Sequence, residues 1–189
     1  MEIKKQDIRK KYTDLRNKLN QKDIDILSKN MSSKLNLNFN IKNSNIHIFL
    51  PITDKKEINT WHFLHNFYKN SNTVITSIYN YKEDEIINVK INPSSSYEIG
   101  GFGIPEPKER IVFDCSKLDY IIIPLLCYDI KGNRIGYGKG IYDRILSALP
   151  SKCMKIGISL FNPEKISIPN ESHDISLDFC QTPDRLYCF

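Results

Sequence analysis

The segment at residues 119–146, DYIIIPLLCYDIKGNRIGYGKGIYDRIL, constrains the fold more than any other part of the chain. It begins with a β-branched apolar run, which is typical of a parallel strand buried on both faces. A turn and glycines at positions 136, 138 and 140 follow, and residues 141–149 have the pattern of a helix. A buried strand joined to a helix by a glycine-rich loop indicates an α/β fold.

The periodicity of the remaining sequence predicts further elements that alternate between helix and strand. The predicted helices cover residues 3–19, residues 20–35 with Asn20 as N-cap, and a stretch from Asn59 or Thr60 to about residue 70. The predicted strands cover residues 46–50, 73–78, 86–91, 155–160 and 185–188. The predicted loops cover residues 36–45, residues 100–107 and the tail from Pro169. We therefore expect one domain over residues 1–189, a three-layer α/β sandwich with a mainly parallel, Rossmann-like sheet and an N-terminal helical pair.

The bulk composition is that of a globular protein, with 40% hydrophobic and 26% charged residues among 189. The apolar run at residues 120–128 is about half the ~20 residues of a membrane-spanning helix and contains Pro124, so we expect no membrane span. The five cysteines form no C-x-x-C pair, and residues 1–20 lack the apolar core of a signal peptide. These features predict reduced thiols in a cytoplasmic protein.

The glycine-rich loop permits two interpretations. Glycines let backbone N–H groups approach a phosphate closely, and Arg134 and Lys139 add positive charge on either side. The loop lacks the G-K-[ST] of a Walker A motif, and its third glycine is one residue early for the dinucleotide fingerprint. The glycines alone therefore favour a structural tight turn, and the basic residues, the following helix and Asp143 count against that interpretation.

Two aspartates near this loop are also open to more than one interpretation. Asp143 falls in the first turn of the predicted helix, where a carboxylate either stabilises the helix dipole or holds Mg²⁺ against bound phosphates. Asp129 precedes Lys131, Gly132 and Asn133 and is first predicted to be a turn residue.

The formal net charge of +5 raises the alternative of a nucleic-acid-binding module. The first predicted helix has a basic face, and binding through it would weaken steeply with salt. His62 and His65 lie three residues apart beside Trp61, but no third ligand stands near, so we expect them to pack or face solvent.

The run RIGYGKGIYDRIL, preceded by DYIIIPLLCYD and GN, resembles the signature of the 5-formyltetrahydrofolate cyclo-ligase family, also called methenyltetrahydrofolate synthetases. Weaker motifs resemble the same family in the same order along the chain: the basic start with Lys5 and Arg9, the strand ending at Leu50 followed by Glu57-Ile58-Asn59-Thr60, the G-I-x-E-P loop within 101–107, and a closing motif with His173, Asp174, Leu177, Asp178 and Thr182.

This resemblance implies an enzyme that binds ATP, Mg²⁺ and a reduced folate. It would convert 5-formyltetrahydrofolate to 5,10-methenyltetrahydrofolate with release of ADP and phosphate, and we expect a monomer without nucleic-acid or membrane partners. The implied ATP contacts are Lys5, Arg9, Arg134, Ile135, Gly136, Tyr137, Gly138, Lys139, Gly140, Ile141 and Tyr142, among which Arg134, Lys139 and Tyr142 would be catalytic. The implied folate contacts are Leu50, Glu57, Tyr137, Lys139 and Tyr142, and the implied Mg²⁺ ligands are Asp143 and Asp178.

The sequence departs from the family pattern at two places. Ile141 stands where the family usually has an aromatic residue, so a flat stacking face for the pterin is missing. Residues 53–56 form an insertion before Glu57. Besides the family enzyme and the nucleic-acid-binding module, Ile141 motivates a third hypothesis. In this hypothesis the chain is a degraded relative of the family that binds nucleotide without turnover.

Overall fold

The structure, a computed structural model, describes residues 4–80, 82–171 and 174–189. Ile3 of the first predicted helix and His173 of the closing motif lie outside the described residues. The helices are α1 Lys5–Asn17, α2 Gln21–Phe39, α3 Trp61–Lys69 and α4 Ile141–Ser147. The strands are β1 Asn45–Ile48, β2 Thr73–Asn80, β3 Glu85–Ile91, β4 Tyr97–Ile99, β5 Pro105–Pro107, β6 Ile111–Val112, β7 Tyr120–Pro124, β8 Cys127–Tyr128, β9 Arg134–Ile135, β10 Met154–Ile158, β11 Phe179–Gln181 and β12 Leu186–Cys188.

Eight of these strands form one sheet in the order β12-β11-β10-β7-β1-β2-β3-β6. The run from β11 to β2 is parallel throughout, and the outer strands β12, β3 and β6 pair antiparallel. Strands β4 with β5 and β8 with β9 form two small hairpins outside the sheet. The prediction of a mainly parallel sheet is confirmed.

Alternate residues of the central strands face opposite helical layers, as the two-residue period of a strand requires. In β7, Ile122 belongs to the core cluster shared with α2 and α3, whereas Ile121 and Ile123 belong to the cluster shared with α4. All three side chains are fully buried, and burying each contributes roughly 1.5–3 kcal/mol. The sheet thus lies between two helical layers, and the three-layer prediction is confirmed.

The two N-terminal helices follow one another but pack on different parts of the molecule. Helix α1 places Ile8 and Tyr12 against the β8–β9 hairpin, while α2 packs with α3 on the sheet. The Asn20 side chain accepts a hydrogen bond from the Lys22 N–H at 2.9 Å, which confirms the predicted N-cap. Among the described residues, no helix is long and apolar enough to cross a membrane.

All three predicted loops contain regular structure. Helix α2 continues into the predicted loop at 36–45 and ends at Phe39, with Asn40 at φ 46° as its C-cap. Strand β5 lies in the predicted loop at 100–107 and pairs with β4. Strand β11 lies in the tail that was predicted to be a loop, so that prediction was wrong there. Its three residues are too few for a periodic signal, and pairing with β10 and β12 on either side creates the strand.

Candidate active site

A cavity of about 330 Å³ lies at the carboxyl edge of the parallel strands. Its lining includes Leu50 just after β1, Ile78 in β2 and Pro124 at the end of β7. Successive connections place β2 on one side of β1 and β7 on the other, so the chain changes direction across the sheet here. Open α/β sheets bind ligands in the crevice at such a switch point.

The glycine-rich loop forms one wall of the cavity and requires glycine at two positions. It follows β9, which pairs with β8, and it leads into α4. Gly138 has φ 85° and Gly140, the N-cap of α4, has φ 68°, both in the left-handed region. A Cβ on Gly138 would also lie 3.0 Å from the Arg9 Cζ. The tight turn therefore brings the loop backbone against a cation.

Four basic side chains from separate parts of the sequence line this wall. Lys5 and Arg9 come from α1, Arg134 from β9 and Lys139 from the loop itself. The Arg9 Nε donates to the Gly136 carbonyl at 3.1 Å, and the Lys139 Nζ lies 4.9 Å from the centre of the Phe102 ring. Such convergence of cations beside exposed backbone suits a phosphorylated ligand.

Two carboxylates stand among these cations. The Asp143 Oδ1 lies 2.6 Å from the Arg134 Nη2, and the Asp174 Oδ2 lies 2.6 Å from the Lys5 Nζ. Both aspartates line the cavity. Across the described ranges, no group of three or more His, Cys, Asp or Glu side chains is arranged to hold a metal ion.

Asp178, the second residue implied to bind Mg²⁺, is not brought to this cavity. Its carboxylate accepts from the Lys155 N–H at 2.7 Å and forms an ion pair with the Lys155 Nζ at 2.9 Å. Lys155 lies near the amino end of β10, whereas the cavity lies beyond the carboxyl ends of the strands. The length of a strand, roughly 10 Å or more, separates these two edges.

The opposite wall of the cavity contains a buried carboxylate. Glu57 is 5% exposed, and its Oε2 accepts from the Ile52 N–H at 2.6 Å. Burial raises the pKa of Glu57, while the hydrogen bond from the Ile52 N–H and the nearby charges of Arg16 and Lys55 oppose that rise. Tyr137 comes from the glycine-rich loop and lines the same cavity, where the charge of Glu57 adds to the effect of burial in raising the pKa of its hydroxyl.

Tyr142 lies between the two walls and packs partly into the core. Burial raises the pKa of its hydroxyl, so the phenol keeps its proton at neutral pH. The ring of His47 lies edge-on behind it, with the ring centres 6.0 Å apart. Burial lowers the pKa of His47 to about 3, and its Nε2 lies 2.7 Å from the Ser77 hydroxyl.

Sequence reasoning missed several residues around the cavity. Lys55, Phe102 and Glu106 line it, and Arg16 donates to Tyr137 behind it. Phe102 and Glu106 fall in the predicted loop that resembles the G-I-x-E-P motif, for which no site residue was predicted. Arg16 had a detectable signal, because Lys5, Arg9 and Arg16 follow helical spacing and therefore share a face of α1.

The fold and the cavity define a three-layer α/β protein with a cationic, glycine-rich wall facing a buried carboxylate at the switch point of its sheet. The sequence model of the 5-formyltetrahydrofolate cyclo-ligase family matches residues 1–183. The chain belongs to the 5-formyltetrahydrofolate cyclo-ligase family.

Known proteins agree with this membership. A 5-formyltetrahydrofolate cyclo-ligase of Haemophilus influenzae is 29% identical over 112 residues, which are 58% of this chain and 60% of that protein. The chain thus matches about three fifths of the length of this curated relative. A 5,10-methenyltetrahydrofolate synthetase structure from Aquifex aeolicus superposes with TM-score 0.80 at 28% identity, covering 97% of this chain and 92% of that one. A 5,10-methenyltetrahydrofolate synthetase structure from Mycoplasma pneumoniae superposes with TM-score 0.74 at 24% identity, covering 94% and 98%, and supports the fold.

Proposed function

We propose that this chain converts 5-formyltetrahydrofolate to 5,10-methenyltetrahydrofolate with ATP, releasing ADP and phosphate. The observation that carries the proposal is that one cavity brings together the glycine-rich loop at 134–143 and the Leu50–Glu57 wall. The family resemblance implies that the first binds nucleotide and the second binds folate. The names of the Haemophilus and Aquifex relatives support the same activity.

The reaction has a chemical difficulty that explains a two-ligand site. A formamide is a poor electrophile, and its oxygen is a poor leaving group. Transfer of the γ-phosphoryl group to the formyl oxygen releases ADP and makes that oxygen leave as phosphate. N10 of the same folate then attacks the formyl carbon, loses its proton and closes the ring. The protein must hold the formyl oxygen near the γ-phosphate and hold N10 near the formyl carbon.

The cationic wall provides what phosphoryl transfer requires. Charge on the transferring group is stabilised by fixed donors, and little covalent chemistry is needed from side chains. We assign Arg134 and Lys139 to the transferring phosphoryl group, and Lys5 and Arg9 to the remaining phosphates. The hydroxyl of Tyr142, which keeps its proton, would donate a hydrogen bond between the two substrates.

The donor set around Asp143 fits a nucleotide-bound Mg²⁺. This ion prefers one or two carboxylates together with phosphate oxygens rather than an all-protein cage. Asp143 and Asp174 offer such a pair at the cationic wall. Mg²⁺ would supply charge neutralisation of the phosphates there. We therefore propose Asp143 as a ligand with Asp174 beside it, and the position of Asp178 makes that residue a weaker candidate.

The opposite wall suits the folate. The carboxylate of Glu57 is an acceptor for N–H groups, and Leu50 contributes apolar surface next to it. Ile141, the first residue of α4, lines the same cavity and also packs against the core on that side of the sheet. It therefore offers an aliphatic contact where the family usually offers a flat ring.

The basic face of α1 argues against the nucleic-acid alternative. Arg9 and Arg16 make hydrogen bonds to residues of the glycine-rich loop. Lys5 pairs with Asp174, and Lys11 pairs with Glu164. These contacts direct much of the positive charge inward, toward a small anionic ligand. We further propose that the enzyme acts in the cytoplasm as a monomer.

The test is spectroscopic. Purified protein with ATP, Mg²⁺ and 5-formyltetrahydrofolate should build up the near-ultraviolet absorbance of the methenyl product, in proportion to enzyme. Omitting ATP should abolish the signal, and ADP should form in a one-to-one ratio with product. A protein that binds ATP but yields no absorbance at any concentration would support the degraded relative and exclude the enzyme.

A further inference from the structure

His47 and Ser77 form a hydrogen-bonded pair beside the cavity that the mechanism above does not use. His47 in β1 is fully buried, and its Nε2 lies 2.7 Å from the Ser77 Oγ in β2. The Ser77 hydroxyl in turn donates to the Asn88 Oδ1 in β3 at 2.8 Å. The polar contacts thus run across three neighbouring strands of an otherwise apolar sheet and end at an amide oxygen.

The direction of these hydrogen bonds follows from the protons that each group carries. A serine hydroxyl has one proton, and Ser77 gives it to Asn88, so the His47 Nε2 must donate to Ser77. The His47 Nδ1 is buried and makes no hydrogen bond within the described part of the chain. Burial lowers the pKa of His47 to about 3, so the ring is neutral and Nδ1 carries no proton. Ser77 keeps one unused lone pair and can only accept a hydrogen bond from a ligand.

Ser77 lies on the sheet face that α4 covers, where it lines the cavity. Its partner His47 packs edge-on against the ring of Tyr142 in α4, which lines the cavity as well. Isoleucines of β3 and α4 belong to the core cluster on this face and also line the cavity: Ile86, Ile141 and Ile145. A single acceptor in such apolar surroundings selects its ligand strongly, because a ligand group that cannot donate leaves it unpaired.

The position of Ser77 in the sheet indicates the folate rather than the nucleotide. The cationic wall continues from β7, and β7 and β2 lie on opposite sides of β1. Tyr142, which we place between the two substrates, is separated from Ser77 by the ring of His47. Of the N–H groups of the folate, N10–H is the one that must lie beside the formyl group for ring closure.

We propose that Ser77 accepts a hydrogen bond from N10–H of the folate, and that His47 and Asn88 are positioning residues that fix the Ser77 oxygen as an acceptor. The inference rests on the proposed function and deepens it, because the mechanism above assigns no residue to N10. A hydrogen bond from N10–H to Ser77 turns the N10 lone pair toward the formyl carbon. Ser77 keeps its own proton, and the N10 proton leaves after the attack as before.

The test compares binding of 5-formyltetrahydrofolate with binding of its 10-deaza analogue, in which CH2 replaces N10–H at nearly the same size. Equilibrium dialysis without ATP measures both dissociation constants. The parent protein should bind 5-formyltetrahydrofolate about tenfold more tightly, the loss expected for one hydrogen bond left unmade in apolar surroundings. Ser77→Ala should bind the two compounds equally, and Ser33→Ala, which removes an exposed hydroxyl of α2, should match the parent protein. A tenfold preference retained in Ser77→Ala would overturn the inference.

Substitutions at Asn88 separate the direction of the hydrogen bonds from a merely structural contribution. Asn88→Asp keeps an accepting oxygen for the Ser77 proton, so the preference for N10–H should stay near tenfold. Asn88→Leu removes that acceptor and lets the Ser77 proton turn toward the ligand, so the preference should fall at least threefold. Both variants leave Ser77 itself in place, so they give the comparison even if Ser77→Ala does not fold. Equal preferences in the two variants would contradict the proposal.

Nitrogen-15 NMR of the His47 ring gives a readout independent of binding and turnover. The proposal requires a neutral imidazole with its proton on Nε2 at neutral pH, and a proton on Nδ1 would refute it. Loss of the preference in Ser77→Ala without turnover by the parent protein would refute the proposed function alone. Turnover by the parent protein with the preference unchanged in Ser77→Ala would refute the role of Ser77 alone.

Discussion

The Arg134 guanidinium and the Asp143 carboxylate are joined across the glycine-rich loop by a 2.6 Å contact between Nη2 and Oδ1. The Arg134 Nη1 also donates to the Ile175 carbonyl at 3.0 Å, so the guanidinium is anchored on two sides. The side chain of Arg134 is 6% exposed, while that of Asp143 is 32% exposed. The buried cation therefore fixes the direction of a carboxylate that remains accessible to a ligand.

The first prediction compares two aspartates. Asp143→Asn should lower kcat on the order of 100-fold and raise the Mg²⁺ concentration needed for half-maximal rate, because a metal ligand is lost. Asp178→Asn should leave the Mg²⁺ dependence unchanged but lower the free energy of unfolding by about 1–2 kcal/mol, since the acceptor for the Lys155 N–H is weakened. Steady-state rates across a Mg²⁺ titration measure the metal dependence of each variant, and urea unfolding measures its stability. The reverse pattern would restore Asp178 as the metal ligand.

The second prediction concerns backbone conformation in the loop. Gly138→Ala should lower the free energy of unfolding by about 1–2 kcal/mol, because φ 85° is strained for an L-residue. It should also raise KM for ATP, because the added Cβ would displace the Arg9 guanidinium. Gly136→Ala is the comparison for stability, since a Cβ there meets nothing within 4 Å. Equal unfolding midpoints for the two variants would contradict this account.

The third prediction concerns His47 and acid. Burial lowers the pKa of His47 to about 3 from its usual 6.5, so the unfolded chain binds more protons than the folded protein between these values. The contribution of neutral His47 to the free energy of unfolding is therefore fully present above pH 6.5 and is lost as the pH drops toward 3. Between pH 7 and pH 5 this contribution falls by about 2 kcal/mol. His47→Gln should remove that slope in urea unfolding, and the exposed His65→Gln should keep it.

The fourth prediction concerns the missing aromatic. Ile141→Phe should lower KM for 5-formyltetrahydrofolate by about 2–10-fold, because a ring–ring contact contributes roughly 0.5–1.5 kcal/mol beyond burial. KM for ATP should change less. Since Ile141 also packs against the core, the thermal unfolding of the variant should be measured together with its kinetics. An unaltered folate KM in a stably folded variant would mean that no substrate ring lies against this position.

Sequence reasoning could predict the sheet and the loop because both depend on local pattern. The β-branched run of β7 and the glycines at 138 and 140 carry their conformational requirements in their side chains. Sequence reasoning could not place Asp178. Only the pairing of β11 with β10 determines at which edge of the sheet that carboxylate lies. Sequence reasoning could not link Arg16 to Tyr137 either, since these two hydrogen-bonded residues lie 121 positions apart in the chain.

The docking of α1 on the glycine-rich loop sets the order in which the site is completed during synthesis. Arg9 and its acceptor Gly136 are separated by 127 positions, so the helix leaves the ribosome long before its partner exists. At 5–20 residues per second, this interval is roughly 6–25 s. During that time the cations of α1 are in solvent. The cationic wall is therefore assembled late, and a ligand that bridges α1 and the loop would stabilise the newly made protein as it folds.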